Sequence, residues 1–252
     1  MRWGGLCLLL LAVPASAGGF GAPPPGLDAK LDRLVRAYPD VLSGHDAAWL
    51  TLKDGRRFAI SDGLSGKSFD EMLEHPDIDD MFAADYPAGA PIGPPKADPG
   101  RVRYAPLFDA MYGDCRRGDV EPKLRSVPWL PRHGGGTVAI TTVNGVDKAL
   151  AAVSAELDQL PERDLKYLIP NSGTYNCRAV AGSAARSAHG WGIAIDLNSA
   201  KAEYWRWSPS GWHNSIPEEI VRVFERHGFI WGGRWRHYDT MHFEYRPELI
   251  GF

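Results

Sequence analysis

The chain has 252 residues and a formal net charge of −3, enough length for one good-sized domain or two small ones. Its composition is ordinary for a globular protein, and no long basic run appears. The slightly negative balance gives no electrostatic reason to expect nucleic acid as a partner.

The first residues read as a secretory signal. Arg2 supplies a positive start, residues 6–13 a short apolar stretch, and Ala15-Ser16-Ala17 a small-residue cleavage site. The apolar stretch is too short to span a bilayer as a stable helix. Residues 1–17 are therefore expected to be removed near Ala17, taking Cys7 with them and leaving no transmembrane segment. An uncleaved N-terminal anchor is the competing reading. Export places the mature chain in the periplasm or beyond, an oxidising environment in which Cys115 and Cys177 are expected to be bridged. Bridging requires Cα atoms within about 7 Å, which sequence does not reveal; two free buried thiols are the alternative.

Residues 18–100 read as an N-terminal extension. A Pro-rich stretch at 21–26 precedes a helix over 27–38, where Leu27, Leu31, Leu34 and Val35 recur at helical spacing. Residues 48–60 read as a hairpin: Trp49, Leu50 and Leu52, then Asp54-Gly55, then Phe58 and Ile60. A short helix follows over 68–73, capped by Ser68. His45 and His75 have no partner at ligand spacing and suit surface or packing roles. Residues 87–100, rich in Pro, Gly and Ala, read as a linker or long surface loop, and a domain boundary is placed there.

In the remaining part, 101–252, helices are expected over 104–112 and 146–160, and strands over 137–143, 192–198 and 241–245. The best-defined helix is 215–227. Ser215 and Glu218 have capping-box spacing, Pro217 sits in the first turn, and Gly228 follows the last turn. The sum is an α+β domain, mainly antiparallel.

The chemistry concentrates in two segments, 187–198 (SAHGWGIAIDLN) and 238–245 (YDTMHFEY). His189 lies in a Gly-containing turn, Asp196 on the polar face of the next strand, and His242 on a later strand. A catalytic zinc takes three His or carboxylate ligands plus one water, and these three residues supply that set. Such a metal acidifies water and polarises a carbonyl, and Asp239 is placed to act as the base that handles the water's proton. No serine or cysteine nucleophile is needed. Each piece alone is weak, since an isolated His-Asp spacing arises often by chance. His213, His227 and His237 have no partner at ligand spacing and are read as non-ligands. The aromatic run Tyr204, Trp205, Trp207 and Trp212 suits either a cleft lining or, the simpler reading, packing of a loop.

Together these residues resemble a family. Ser187, His189, Gly192, Ala194 and Asp196, followed by Asp239, Met241, His242, Phe243 and Glu244, are similar to the D-alanyl-D-alanine carboxypeptidase (VanY-type) metallopeptidases, as is Trp231-Gly232-Gly233. The resemblance covers roughly 137–245. It implies a small antiparallel sheet with flanking helices around a zinc site, the hedgehog/D-Ala-D-Ala metallopeptidase-like fold. It also implies a Zn2+ held by His189, Asp196 and His242, catalysis by Asp239, and peptidoglycan stem peptides as substrate. An Asp at position 239, where some branches carry Glu, resembles the L-alanyl-D-glutamate endopeptidase branch. The family's arginine, which binds substrate or steadies the oxyanion, matches Arg178 best; Arg186 is the rival, read as a surface charge. Ser187 matches a serine near the substrate, or else caps a turn. Glu244 either orients His242 or is a surface carboxylate at a strand end. A monomer is the default. The competing functions are a non-catalytic zinc-containing cell-wall binding protein and a peptidase of other exported peptides.

Overall fold

The computed structural model describes residues 24–64, 66–180 and 182–251. The signal-peptide reading lies outside the described residues. Among them, no helix is long and apolar enough to cross a membrane.

The extension begins with helix α1 (Leu27–Ala37), which buries Leu31 and Leu34. Strands β1 (Leu42–His45), β2 (Trp49–Leu52) and β3 (Arg57–Ala59) form an antiparallel sheet in that order. The expected hairpin is β2–β3; β1 is additional. Helix α2 (Phe69–Glu74) carries a full capping box between Ser68 and Glu71. Residues 87–100 form no helix or strand, and their far end bonds to the later part of the chain. The backbone NH of Arg236 donates to the carbonyl of Ala97, that of His237 to Asp98, and the Trp235 indole to the carbonyl of Pro99.

Beyond this segment come α3 (Ala105–Tyr112), a two-stranded ribbon of β4 (Leu124–Pro128) and β5 (Thr137–Thr141), α4 (Val146–Leu157) and α5 (Leu165–Leu168). The last sheet consists of β6 (Ala194–Asp196), β7 (Phe229–Trp231) and β8 (His242–Tyr245), in the order β6-β8-β7, antiparallel throughout. Helix α6 (Glu218–Arg226) covers this sheet, its Phe224 ring stacked on Phe243 at 3.9 Å. Helix α7 (Pro247–Ile250) then packs on α1, where the Tyr38 hydroxyl donates to Glu248 at 2.6 Å. The architecture is α+β with small antiparallel sheets, as expected. Buried apolar side chains from Leu31 to Leu249 form one cluster.

Two local readings are corrected. The capping box expected at Ser215 and Glu218 does not form: α6 starts after Pro217, the Ser215 hydroxyl donates to Glu203, and Glu218 pairs with Arg222. The Ser215 backbone NH also donates to Glu203, at 3.0 Å, which takes the place that Glu218 would have filled in the box. The strand expected over 192–198 is shorter, because Gly192 (φ 67°) is in the left-handed region and ends the turn before it. A Cβ there would also meet the Leu124 side chain at 2.8 Å.

Candidate metal centre and cleft

The β6–β8 register decides the centre of the site. Asp196 and His242 are direct cross-strand partners, so their side chains emerge side by side. His189 arrives from a single 3-10 turn, Ala188–Trp191, buried to 3 % exposure. Its Nδ1–H donates to the carbonyl of Thr174, which leaves Nε2 facing Asp196 and His242. His189 Nε2 lies 3.1 Å from Asp196 Oδ1 and 3.2 Å from His242 Nδ1; the latter is 3.0 Å from the same Asp196 oxygen. Metal–ligand bonds of about 2.0–2.1 Å arranged tetrahedrally set ligand atoms about 3.3–3.4 Å apart. The three atoms therefore describe nearly one face of such a tetrahedron, and the donor set, two imidazoles and a carboxylate, suits zinc.

The outer side of His242 is equally ordered. Its Nε2–H donates to Glu244 at 2.9 Å, and Glu244 also accepts from Arg103 and lies 3.3 Å from Arg246. Glu244 is fully buried, so the surface-carboxylate reading is set aside in favour of the orienting one. Burial alone would raise the Glu244 carboxyl, but Arg103 and His242 hold it well below the usual range. Burial would lower His242; its bonds to Asp196 and Glu244 outweigh this and push it up to about 9. Asp196 likewise stays ionised against burial because both histidines bond to it.

This centre opens into a cleft of about 310 Å³, lined by Asp196, His242 and Asp239 together with Arg178 and Ser187. Every site residue singled out in the sequence lines this cleft except His189, which is buried and meets Asp196 and His242 at its edge. Asp239 reaches the cleft because its own carbonyl packs on Gly232, where a Cβ would lie 2.5 Å away. Its Oδ1 has no hydrogen-bond partner among the described residues, and burial raises its pKa to about 6. Ser187 makes no side-chain cap to the 3-10 turn, so its turn-capping reading is not seen.

Arg186 is not the surface charge expected. Its side chain is buried and pairs with Asp109 and, at 3.0 Å, with Asp114. Arg178 is exposed on the cleft, and Cys177 beside it is bridged to Cys115 with Cα atoms 5.7 Å apart. Tyr204 and Trp207 line the cleft, with Trp207 68 % exposed, while Trp205 packs on His237 and the Trp212 indole donates to Gly233. The packing reading of the aromatic run therefore holds for only two of its four members. His227 pairs with Glu156 and His237 with Asp98, away from the metal-facing atoms. A second carboxylate group, Asp77, Asp79 and Asp80, already holds a cation: the Lys67 ammonium lies 2.7 Å from Asp80, 3.3 Å from Asp77 and 2.7 Å from Asp62.

The sequence reading missed Arg101, Arg103, Leu73 and Trp235, all on the cleft wall. The signal available for the arginines was Arg-Val-Arg: in an extended chain alternate residues share a face, and Val102 is buried on the other.

Residues 181–245 match the family model described as D-alanyl-D-alanine carboxypeptidase, which supports the resemblance drawn from the two motifs. The match supports a peptidase, hence a hydrolase, at family level. It spans Ser187, His189, Asp196, Asp239 and His242 but neither Arg178 nor the extension. No curated protein matches the chain.

Proposed function

We propose that the protein is an exported zinc-dependent metallopeptidase that hydrolyses amide bonds in peptidoglycan stem peptides. The observation that carries this reading is the convergence of His189 Nε2, Asp196 Oδ1 and His242 Nδ1 beside a buried carboxylate, Asp239, in one cleft. His189, Asp196 and His242 would hold the zinc, which when bound supplies a Lewis acid for the scissile carbonyl and an acidified water.

The chain's own groups do the rest. Thr174 and Glu244 fix the two imidazoles so that each turns one lone pair inward. Asp239, with an oxygen free of partners, takes a proton from the attacking water and delivers it to the leaving amine. Arg178 contributes a fixed positive charge to the cleft for the developing oxyanion or a substrate carboxylate. The disulfide at Cys177 anchors the loop that carries it.

Asp239→Ala separates chemistry from metal binding. The variant is expected to retain zinc with wild-type stoichiometry while its turnover of muropeptides falls at least about a hundredfold. Wild-type turnover in that variant would remove Asp239 from the mechanism.

A further inference from the structure

Arg101 lines the cleft and carries a charge that the mechanism above leaves unused. It belongs to the segment ahead of the family-matched region, and it is 8 % exposed. Three contacts fix it. Its backbone NH donates to the carbonyl of Asp98 at 3.1 Å, its Nη1 donates to the carbonyl of His237, and its guanidinium lies 5.1 Å over the Trp235 ring. A guanidinium carries five N–H donors and cannot shed its charge. Among the described residues, the His237 carbonyl is the only acceptor that Arg101 reaches with its side chain, and no carboxylate pairs with it. The contrast with Arg103, two residues on and over the same ring, is informative. Arg103 is neutralised by a fork on Glu244.

Burying an arginine without an anion is costly, and a cleft wall is where a ligand would supply one. Asp98 and Asp239 act on Arg101 only at a distance; Asp98 is committed to His237 at 2.9 Å. The Arg101 anchor at the His237 carbonyl places it on the flank of the cleft that carries Asp239. Arg178, whose carbonyl accepts from Ser187 two residues before His189, belongs to the other flank.

We propose that Arg101 anchors a carboxylate of the substrate on the Asp239 flank of the cleft, so that the N-terminal extension forms part of the substrate site and the protein selects acidic peptides over their amides. This deepens the peptidase reading and rests on it. A stem peptide with lysine at its third position offers two such carboxylates, the C-terminal one and the free α-carboxylate of its γ-linked D-Glu, and both are the same chemistry to a guanidinium.

The test uses three synthetic stem peptides: the free acid, its C-terminal amide, and the form with the D-Glu α-carboxylate amidated. Binding is measured by calorimetry on the full mature chain kept metal-free with chelator, where nothing is cleaved, and KM and kcat on the zinc-loaded protein. The wild type is expected to bind one of the two amides about ten- to a hundredfold more weakly than the acid, and that amide identifies the carboxylate. Arg101→Gln is expected to bind all three peptides at the weak level, with KM raised and kcat retained. Arg101→Lys should fall between, because it keeps the charge and loses the fork. Equal wild-type affinity for acid and both amides would overturn the proposal without any variant. So would an Arg101→Gln protein that still discriminates acid from amide as the wild type does. Absence of turnover with the binding pattern intact would instead remove the peptidase reading and leave Arg101 as the carboxylate anchor.

Discussion

His242 shows how much of the site depends on a residue that never faces the cleft centre. Glu244 accepts from its outer Nε2–H, and Arg103 and Arg246 hold Glu244 in place from either side. In metal centres, loss of such an outer carboxylate weakens metal affinity about ten- to a hundredfold. Glu244→Gln keeps the shape and an acceptor oxygen but removes the charge. Its zinc affinity, read by competition with a chromogenic chelator, is expected to drop by that factor; an unchanged affinity would show that Glu244 merely fills space. At this scale His189, Asp196, Asp239 and His242 were legible because each pair sits within one short, patterned segment. Arg101 was not legible, because its role comes from a segment more than a hundred residues from His242 brought to the cleft by Trp235 and His237. Arg186 was misjudged for the same reason: its partners Asp109 and Asp114 are remote in sequence.

Between β3 and α3, the turn around α2 is held by charges. Lys67, ahead of the helix, bonds Asp77 and Asp80 behind it, and Asp79 sits against Asp77. Burial, then the Asp77 carboxylate, pushes Asp79 up to about 7. A carboxyl raised above its unfolded value of about 4 favours the folded state while protonated. That contribution is complete below about pH 4 and is lost as pH rises through about 7. Asp79→Asn is therefore expected to match the wild type at pH 4 and to exceed it in stability at pH 8, in urea unfolding followed across that range. A variant less stable than wild type at pH 8 would mean that the charged Asp79 is itself holding the turn. Among the elements, α1, α4 and α6 were readable from their apolar stripes, and α2 from its cap. The short strands β1, β4 and β7 were not: Leu-Ser-Gly-His in β1 carries a single apolar residue, and strands of three to five residues owe their form to sheet partners. The turn bearing His189 is likewise made by tertiary contacts, with Gly192 leaving room for the Leu124 side chain and the Thr174 carbonyl accepting from the imidazole Nδ1–H.

Across the whole molecule, the extension is bound to the site-bearing part at buried points. Tyr86 donates to Glu225 on α6 at 2.7 Å and accepts from the backbone of Trp231 at 2.8 Å; Tyr38 bonds Glu248; Arg246 donates to the carbonyl of Gly100. Removing residues 1–100 would strip these partners from buried charges, each loss costing on the order of 1–3 kcal/mol or more, against a total stability of about 5–15 kcal/mol. The truncated chain is expected to lose cooperative thermal unfolding; a sharp transition in residues 101–252 alone would show an independent domain there. The Pro- and Gly-rich composition of 87–100 suggested a connector, because composition reports flexibility of the free chain and not the bonds that Trp235, Arg236 and His237 make to it. The central claim, a zinc-dependent peptidase of stem peptides, is tested most directly by incubating the mature protein with defined muropeptides, with and without chelator, and weighing the products. Loss of a terminal D-Ala or separation of L-Ala from D-Glu, stopped by chelation and restored by zinc, is the expected result; zinc-loaded protein that leaves every muropeptide mass unchanged would contradict it.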